Sequence, residues 1–369
     1  GMEQRKAEMD GLLLLPSLGL ALVGIVMVYS TSAAIGLEKY QDSCFFLKRQ
    51  SLHLVIGLLI MTLAYLIPYS WWHSFAHSFL LLVIALLILV LVSPWSREVG
   101  GAKRWLTLGA FSFQPSEAAK LAMVFYLAHS FTRKKEKMRG FLLGLSPYLL
   151  VLGVFFLLLL LQPDLGTAIQ ITLMTFLLLF AANVRPTHLF LSGVGILPLL
   201  CIAIYQEGYR LRRIFAFLNP WKDPTDSGFQ IIQSFLAMGR GGMWGVGLGE
   251  GRQKLFYLPE AHTDFILSVA GEELGFFGLL LILSLLGTLV IRGCWIALDN
   301  PDAYGRFLAL GISFSIGIQG GINLGVITGL LPTKGMPFPY MSVGGSALIT
   351  TLWSTGILLN ISKTVRCQK

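Results

Sequence analysis

Along this chain apolar residues do not alternate with polar ones; they run. A bilayer core takes about 20 residues of helix, and ten apolar stretches near that length fall at 12–34, 50–67, 72–92, 116–132, 141–161, 166–184, 187–206, 264–291, 304–330 and 346–362. The pattern predicts an all-α fold, a polytopic membrane protein with ten transmembrane helices, and the even count puts both termini on one side. The whole chain, 1–369, is expected to form one membrane domain. Within it a long connection, 207–263, separates the seventh helix from the eighth. Connections of that length without a structural need are usually functional. Inside it, 229–238 is apolar but too short to span, which predicts an amphipathic or re-entrant helix at the interface. The glycine-rich run from Gly239 to Gly249 lacks the Lys-Ser/Thr ending of a phosphate loop and reads as a flexible turn system. No internal repeat is visible, which disfavours the repeat-built transporter folds.

Composition narrows the class. The chain is 55% hydrophobic and 13% charged, about half the roughly 25% charged residues of a soluble domain. Disordered chains, disulfide scaffolds and cytosolic enzymes are excluded. A net charge of +9 would suggest nucleic acid in a soluble chain; here it follows from the positive-inside rule and anionic lipid, and no nucleic-acid partner is expected. Cys44, Cys201, Cys294 and Cys367 lie far apart, with no CxxC pair and no Cys/His cluster, so neither a disulfide frame nor a zinc site is inferred. The leading Gly1 reads as a cloning remnant, and the first apolar run as a retained span. With both termini inside, the inner segments hold 13 Lys and Arg, including the cluster at 133–139, and the short outer loops hold 7. That bias makes the termini cytoplasmic. Seven more basic residues, Arg210, Arg212, Arg213, Lys222, Arg240, Arg252 and Lys254, lie in the long outer loop.

Candidate chemistry gathers at the outer ends of the even-numbered helices. Four starts carry capping residues: Gln114-Pro115-Ser116-Glu117, Gln162-Pro163-Asp164-Leu165-Gly166-Thr167, His262-Thr263-Asp264 and Gly344-Gly345-Ser346. Free N–H groups at helix starts attract anions, phosphates especially. With Lys103, Arg104, Lys120, Arg210, Lys254 and Lys334 they suggest an outer-face pocket for a pyrophosphate. One cap by itself only stops fraying, and loop cations also meet lipid headgroups. Four caps around an intramembrane Lys120 favour the pocket. Asp264 has two readings: a helix cap, with its pKa lowered, or a general base that takes a proton from a hydroxyl. Composition leaves these even, and His262 is a second possible base. Glu272 and Glu273, about 12 Å deeper along the helix, require partners, either Lys120 or a backbone group.

Several of these blocks match a known family. Gly100-Gly101-Ala102-Lys103-Arg104-Trp105-Leu106 through Gln114-Pro115-Ser116-Glu117-Ala118-Ala119-Lys120-Leu121 closely resembles the SEDS proteins (shape, elongation, division, sporulation; FtsW/RodA/SpoVE). The same holds for Gln162-Pro163-Asp164-Leu165-Gly166-Thr167-Ala168, for Tyr257 to Ile266, for Gly329 to Gly335 and for Ser342 to Ser346. The blocks stand in family order over most of the chain. Pro332-Thr333-Lys334-Gly335, and Glu260-Ala261-His262-Thr263-Asp264 followed by Gly271-Glu272-Glu273, make it most like the division branch. Val343 departs from the aromatic usual at its position.

The resemblance implies a multi-pass peptidoglycan glycosyltransferase of the bacterial cytoplasmic membrane that polymerises lipid II into β-1,4 glycan on the outer leaflet during division. The donor would be the growing chain on undecaprenyl pyrophosphate, and the acceptor the 4-hydroxyl of the incoming lipid II. Asp264 would be the catalytic base of an inverting single displacement. Lys103, Arg104, Lys120 and Lys334 would neutralise the leaving pyrophosphate. Trp105 is either an interfacial anchor or a sugar platform, and the family motif favours the second. Ser116, Glu117, Asp164, Arg210, His262, Thr263, Ser342, Gly344, Gly345 and Ser346 complete the expected substrate-binding set. No cofactor is required; Glu117 and Asp164 are the candidates for a divalent cation (Mg or Mn) or for sugar hydroxyls, and with no fixed metal cage no metal site is assigned. The implied partners are a class B penicillin-binding protein transpeptidase (FtsI-like) and other divisome membrane proteins. A lipid II flippase and a non-catalytic division scaffold are the alternatives. A flippase predicts charged groups continuing to the inner leaflet, whereas the sequence concentrates them outside.

Overall fold

A computed structural model of the chain describes residues 9–99, 101–333 and 335–366. Every apolar run becomes a helix: α1 (Gly11–Tyr40), α2 (Phe45–Leu66), α3 (Ser70–Val92), α4 (Pro115–Lys134), α6 (Ser146–Leu161), α7 (Leu165–Ala181), α8 (Pro186–Tyr205), α11 (Ile266–Asp299), α12 (Ala303–Ile327) and α13 (Gly345–Arg366). The fifth run opens with a one-turn helix, α5 (Phe141–Gly144), before α6 begins with Pro147 in its first turn. Among the described residues, 6 helices are long and apolar enough to cross a membrane: α1, α2, α3, α8, α11 and α12. This is a multi-pass membrane protein. The more polar α4 sits in the middle of the bundle, buried continuously from Pro115 to His129, so its polar side chains meet protein and not lipid. At the other extreme, α8 has 6% of its apolar window buried and lies at the periphery.

The expectation of an all-α chain is corrected by a small antiparallel sheet in the connection between α3 and α4: β1 (Ser96–Val99), β2 (Ala102–Leu108) and β3 (Phe111–Phe113). Arg97 stands opposite Trp105, Glu98 opposite Lys103, and Leu106 opposite Phe113. Two-residue hairpin turns need positive φ, and Gly101 and Gly109 supply it at 78° and 63°.

The long connection is also more ordered than expected. It forms α9 (Gly208–Leu218) and α10 (Phe229–Gly241), and α10 lies along the first part of α11, where Gly241 meets the Gly271 carbonyl so closely that no side chain fits between them. There α11 is broken by Gly275 (φ 70°, ψ −167°). A break frees backbone groups that must find partners. Val246 N donates to Glu272 O (3.0 Å), Gly247 N to Glu273 O (3.1 Å), Phe276 N to Gly242 O (2.9 Å) and Phe277 N to Met243 O (3.2 Å). The glycine-rich run is therefore a clasp on the kink, not a flexible turn system. The same loop satisfies the buried acids. Glu272 accepts from Arg252 N (3.0 Å) and Gln253 N (3.2 Å), while Glu273 pairs with Lys254 (2.7 Å) and accepts from Ser30 Oγ and Gly249 N. Lys120 is not their partner, and Lys254, neutralised here, is not a pocket cation.

Candidate active site

The starts of α4, α7, α11 and α13 are joined at one end of the bundle. Gln114 N donates to Ser346 Oγ (3.0 Å), Val343 N to His262 O (3.1 Å), and Ser342 Oγ to Thr263 O (2.6 Å). Arg104 Nε, from β2, donates to Gln162 O (3.1 Å), and its Nη2 to Pro163 O. Ser342 and Ser346 thus tie the site together. Of the expected caps, Asp164 serves as one, accepting from Thr167 N (3.2 Å). The N-cap of α11 is Phe265, so Asp264 is not a helix cap.

Asp264 is held by its backbone instead: Asn323 Nδ2, on α12, donates to Asp264 O (2.9 Å) and also to Met336 O (2.8 Å). Among the described residues its carboxylate makes no hydrogen bond. A methyl placed on Gly335 would stand 3.4 Å from Asp264 Oδ2 and 4.0 Å from Arg104 Nη1, so both side chains converge on that glycine. Burial, then the charge on Glu260, push the Asp264 carboxyl up to about 7, against the pull of Arg213 and Arg104. This is opposite to what capping predicts, and it suits a base working near neutrality. His262 packs its ring on Phe46 (5.2 Å), and burial lowers its proton affinity.

Two cavities flank this point. Strand alternation sends neighbouring β2 side chains to opposite faces, Arg104 to a cavity of about 570 Å³ and Trp105 to one of about 280 Å³. Asp164, Glu207, Arg210, Arg213 and Gly335 also line the larger; Arg49, His53, Arg97, Thr263, Gly344 and Gly345 also line the smaller. Arg210 is buried, fixed by Ala203 O (2.7 Å) and Tyr209 Oη (3.1 Å). Arg213 reaches Thr333 O (3.4 Å). Asp164 Oδ2 is buried without a partner among the described residues. Among the described residues no group of three or more His, Cys, Asp or Glu stands ready to hold a metal. An apolar groove of about 740 Å³ between α6, α7 and α8 runs to Ala203 and Gln206, at the edge of the larger cavity.

Two expected cations, Lys120 and Lys103, line neither cavity. Lys120 pairs with Glu117 (2.6 Å), donates to Gln319 Oε1 (3.0 Å) and borders a separate space of about 20 Å³. Gln319 is one turn of α12 from Asn323, so this ion pair lies about 6 Å further along the helix, and Glu117 and Lys120 line neither flanking cavity. Ser116 is buried beside them with its Oγ unpartnered among the described residues. Lys103 is exposed, opposite Glu98 on β1. Lys334 lies outside the described residues. The structure brings in Arg213, Gly335, Arg49, His53 and Arg97, which the sequence reading did not select. For three of them a signal existed: Arg213 is three residues from Arg210 on an amphipathic segment, and Arg49 and His53 are four apart at the start of α2.

The chain matches the cell cycle protein family FtsW/RodA/SpoVE over residues 11–367. It is 48% identical over 353 residues to the probable peptidoglycan glycosyltransferase FtsW of Geobacter sulfurreducens, covering 96% of this chain and 95% of the relative. To stage V sporulation protein E of Bacillus subtilis it is 43% identical over 363 residues, covering 98% and 99%. Among solved structures, a chain of a peptidoglycan synthase complex that coordinates polymerization and crosslinking superposes with a TM-score of 0.78 at 28% identity, covering 97% of this chain and 98% of that one. The rod shape determining protein RodA of Thermus thermophilus gives 0.70 at 28% identity, covering 96% of each.

Proposed function

The chain belongs to the FtsW/RodA/SpoVE family of cell cycle proteins, and on that premise we propose that it is a peptidoglycan glycosyltransferase that polymerises lipid II during cell division, with Asp264 as the general base. The observation that carries the reading is where Asp264 sits: its chain neighbour Thr263 lines one cavity, and Gly335, on which its carboxylate converges, lines the other, of different chemistry. The larger, with Arg104, Arg210 and Arg213, takes the pyrophosphate of the donor chain. The smaller, with Trp105, Arg97 and Thr263, takes the acceptor sugar, for which the Trp105 ring is a stacking face. As the acceptor 4-oxygen bonds to the donor C1, its proton passes to Asp264. The C1–oxygen bond to pyrophosphate breaks, and the guanidinium groups stabilise the charge that develops. Attack opposite the leaving group inverts the anomeric centre, so one carboxylate suffices and no covalent intermediate is needed.

The apolar groove beside α8 suits the polyprenyl tail, since it meets the cationic cavity where Arg210 is anchored. Asp164 Oδ2 accepts a sugar hydroxyl or a divalent cation, and no cofactor is required. The protein lies in the bacterial cytoplasmic membrane with ten spans, cytoplasmic termini and the site outside, and it works with a class B penicillin-binding protein and other divisome membrane proteins. A flippase would need a polar path through the bundle; the Glu117–Lys120 pair borders only a water-sized space. Incubation of the purified chain with lipid II, with and without the transpeptidase, followed by separation of glycan products, tests the reading. Parent protein should form long glycans and Asp264→Asn should not; equal products from both would refute it.

A further inference from the structure

A cavity of about 660 Å³ opens at the opposite end of the bundle, remote from the residues assigned to the reaction. It lies where α4 and α7 end and α12 begins. Its floor is apolar: Phe131 and Met138 are buried, and Phe307 meets Phe131 edge-on at 5.2 Å. Its rim is cationic: Lys135 and Arg139 line it, both exposed, and neither side chain has a hydrogen bond or ion pair among the described residues. Glu136 is the one acidic side chain on the lining. By contrast Lys134 is engaged, donating to Leu143 O (2.9 Å) and lying over the Tyr148 ring.

The backbone at the mouth is unusual. Lys135 (φ 38°) and Asn183 (φ 63°) both have positive φ, where glycine is the low-strain choice. Keeping side chains at such positions is a mark of functional sites. Beside the rim, α5 exposes Phe141, Leu142 and Leu143, an apolar turn that belongs in lipid. A ligand fitting this place has a negative head for Lys135 and Arg139 and an apolar body for the floor.

We propose that this cavity binds the phosphate headgroup of an anionic phospholipid in the leaflet opposite the active site. Basic pockets between membrane helices hold such headgroups, and each Lys or Arg near the surface is worth about fivefold in affinity. The apolar floor favours a lipid over free phosphate, and the neighbouring lipid-facing turn favours it over an acidic polypeptide. The proposal is independent of the glycosyltransferase reading.

Native mass spectrometry of the delipidated full chain, titrated with phosphatidylglycerol and with phosphatidylcholine, provides the test. The parent should retain phosphatidylglycerol selectively, and Lys135→Gln/Arg139→Gln should weaken that retention about 30-fold. Ala182→Phe, which fills the floor without changing charge, should also abolish it and decides the matter should the double variant not fold. Lys137→Gln, off the lining, should change nothing. Equal retention of both lipids, equal loss in Lys137→Gln, or no loss in the cavity variants would overturn the proposal. So would displacement by inorganic phosphate or glycerol phosphate at matched concentration, which would assign a soluble anion, or recovery of an acidic polypeptide in place of lipid.

Discussion

At the scale of a residue, the proposed chemistry rests on how Asp264 is kept basic. Burial raises its pKa to about 7 while Arg104 and Arg213 hold it from rising further. Below that pH the carboxyl carries a proton and cannot accept another, so polymerisation should climb as pH rises through about 7 and then level off. The stability consequence has the opposite sense. A carboxyl whose folded pKa is raised favours the folded state at low pH, and that contribution is lost as pH rises through about 7. Asp264→Asn should therefore melt no lower than the parent at pH 8 while losing about 10²- to 10⁴-fold in rate. A variant that melts much lower yet polymerises normally would make Asp264 structural. Gly335→Ala is a second test. Its methyl would make an ordinary contact at 3.4 Å with Asp264 Oδ2, so thermal stability should hold within about 0.5 kcal/mol. Glycan synthesis should fall, because the methyl intrudes where the base meets substrate; unchanged synthesis would move the reaction away from Gly335.

Among the elements, α11 shows how a membrane helix can be interrupted without loss. Its break at Gly275 is closed by backbone bonds from 242–247, and the loop behind that clasp is held by Glu272, Glu273 and Lys254. Removing one partner of a buried ion pair strands the other charge, at a cost of about 3–5 kcal/mol. Lys254→Met should lower the melting temperature strongly, and Lys254→Met/Glu273→Gln should recover part of the loss. Equal melting of the single and double variants would show that the pair is uncoupled. The β-hairpin belongs to the same scale. Its glycine turns were visible, yet 102–108 does not alternate, with Lys103-Arg104 polar and Trp105-Leu106 apolar in succession, so no strand period marks it. The pairing of β1 with β2 is a non-local event that no single window contains.

For the whole molecule, the proposed ten-span topology with cytoplasmic termini puts the 133–139 segment inside and 207–263 outside. In a background lacking native cysteines, an impermeant reagent on intact cells should label cysteines placed in exposed parts of 207–263 and spare one at 135; strong labelling at 135 would reverse the orientation. The mostly helical, multi-pass character was legible because a bilayer demands long apolar segments with internally satisfied backbones, a constraint that acts locally on each span. Asp264 was selected on its family block, and the cationic character of its surroundings was legible from Arg104 and Arg210. Tertiary structure alone decided that Lys120 is spent on Glu117, that Lys254 is spent on Glu273, and that Asp264 caps nothing. It also decided that Arg213, Gly335 and Arg97 stand at the cavities. The reason is physical: whether a charge is free or neutralised depends on what lies within a few ångströms of it, and for these residues those neighbours come from segments many residues away along the chain.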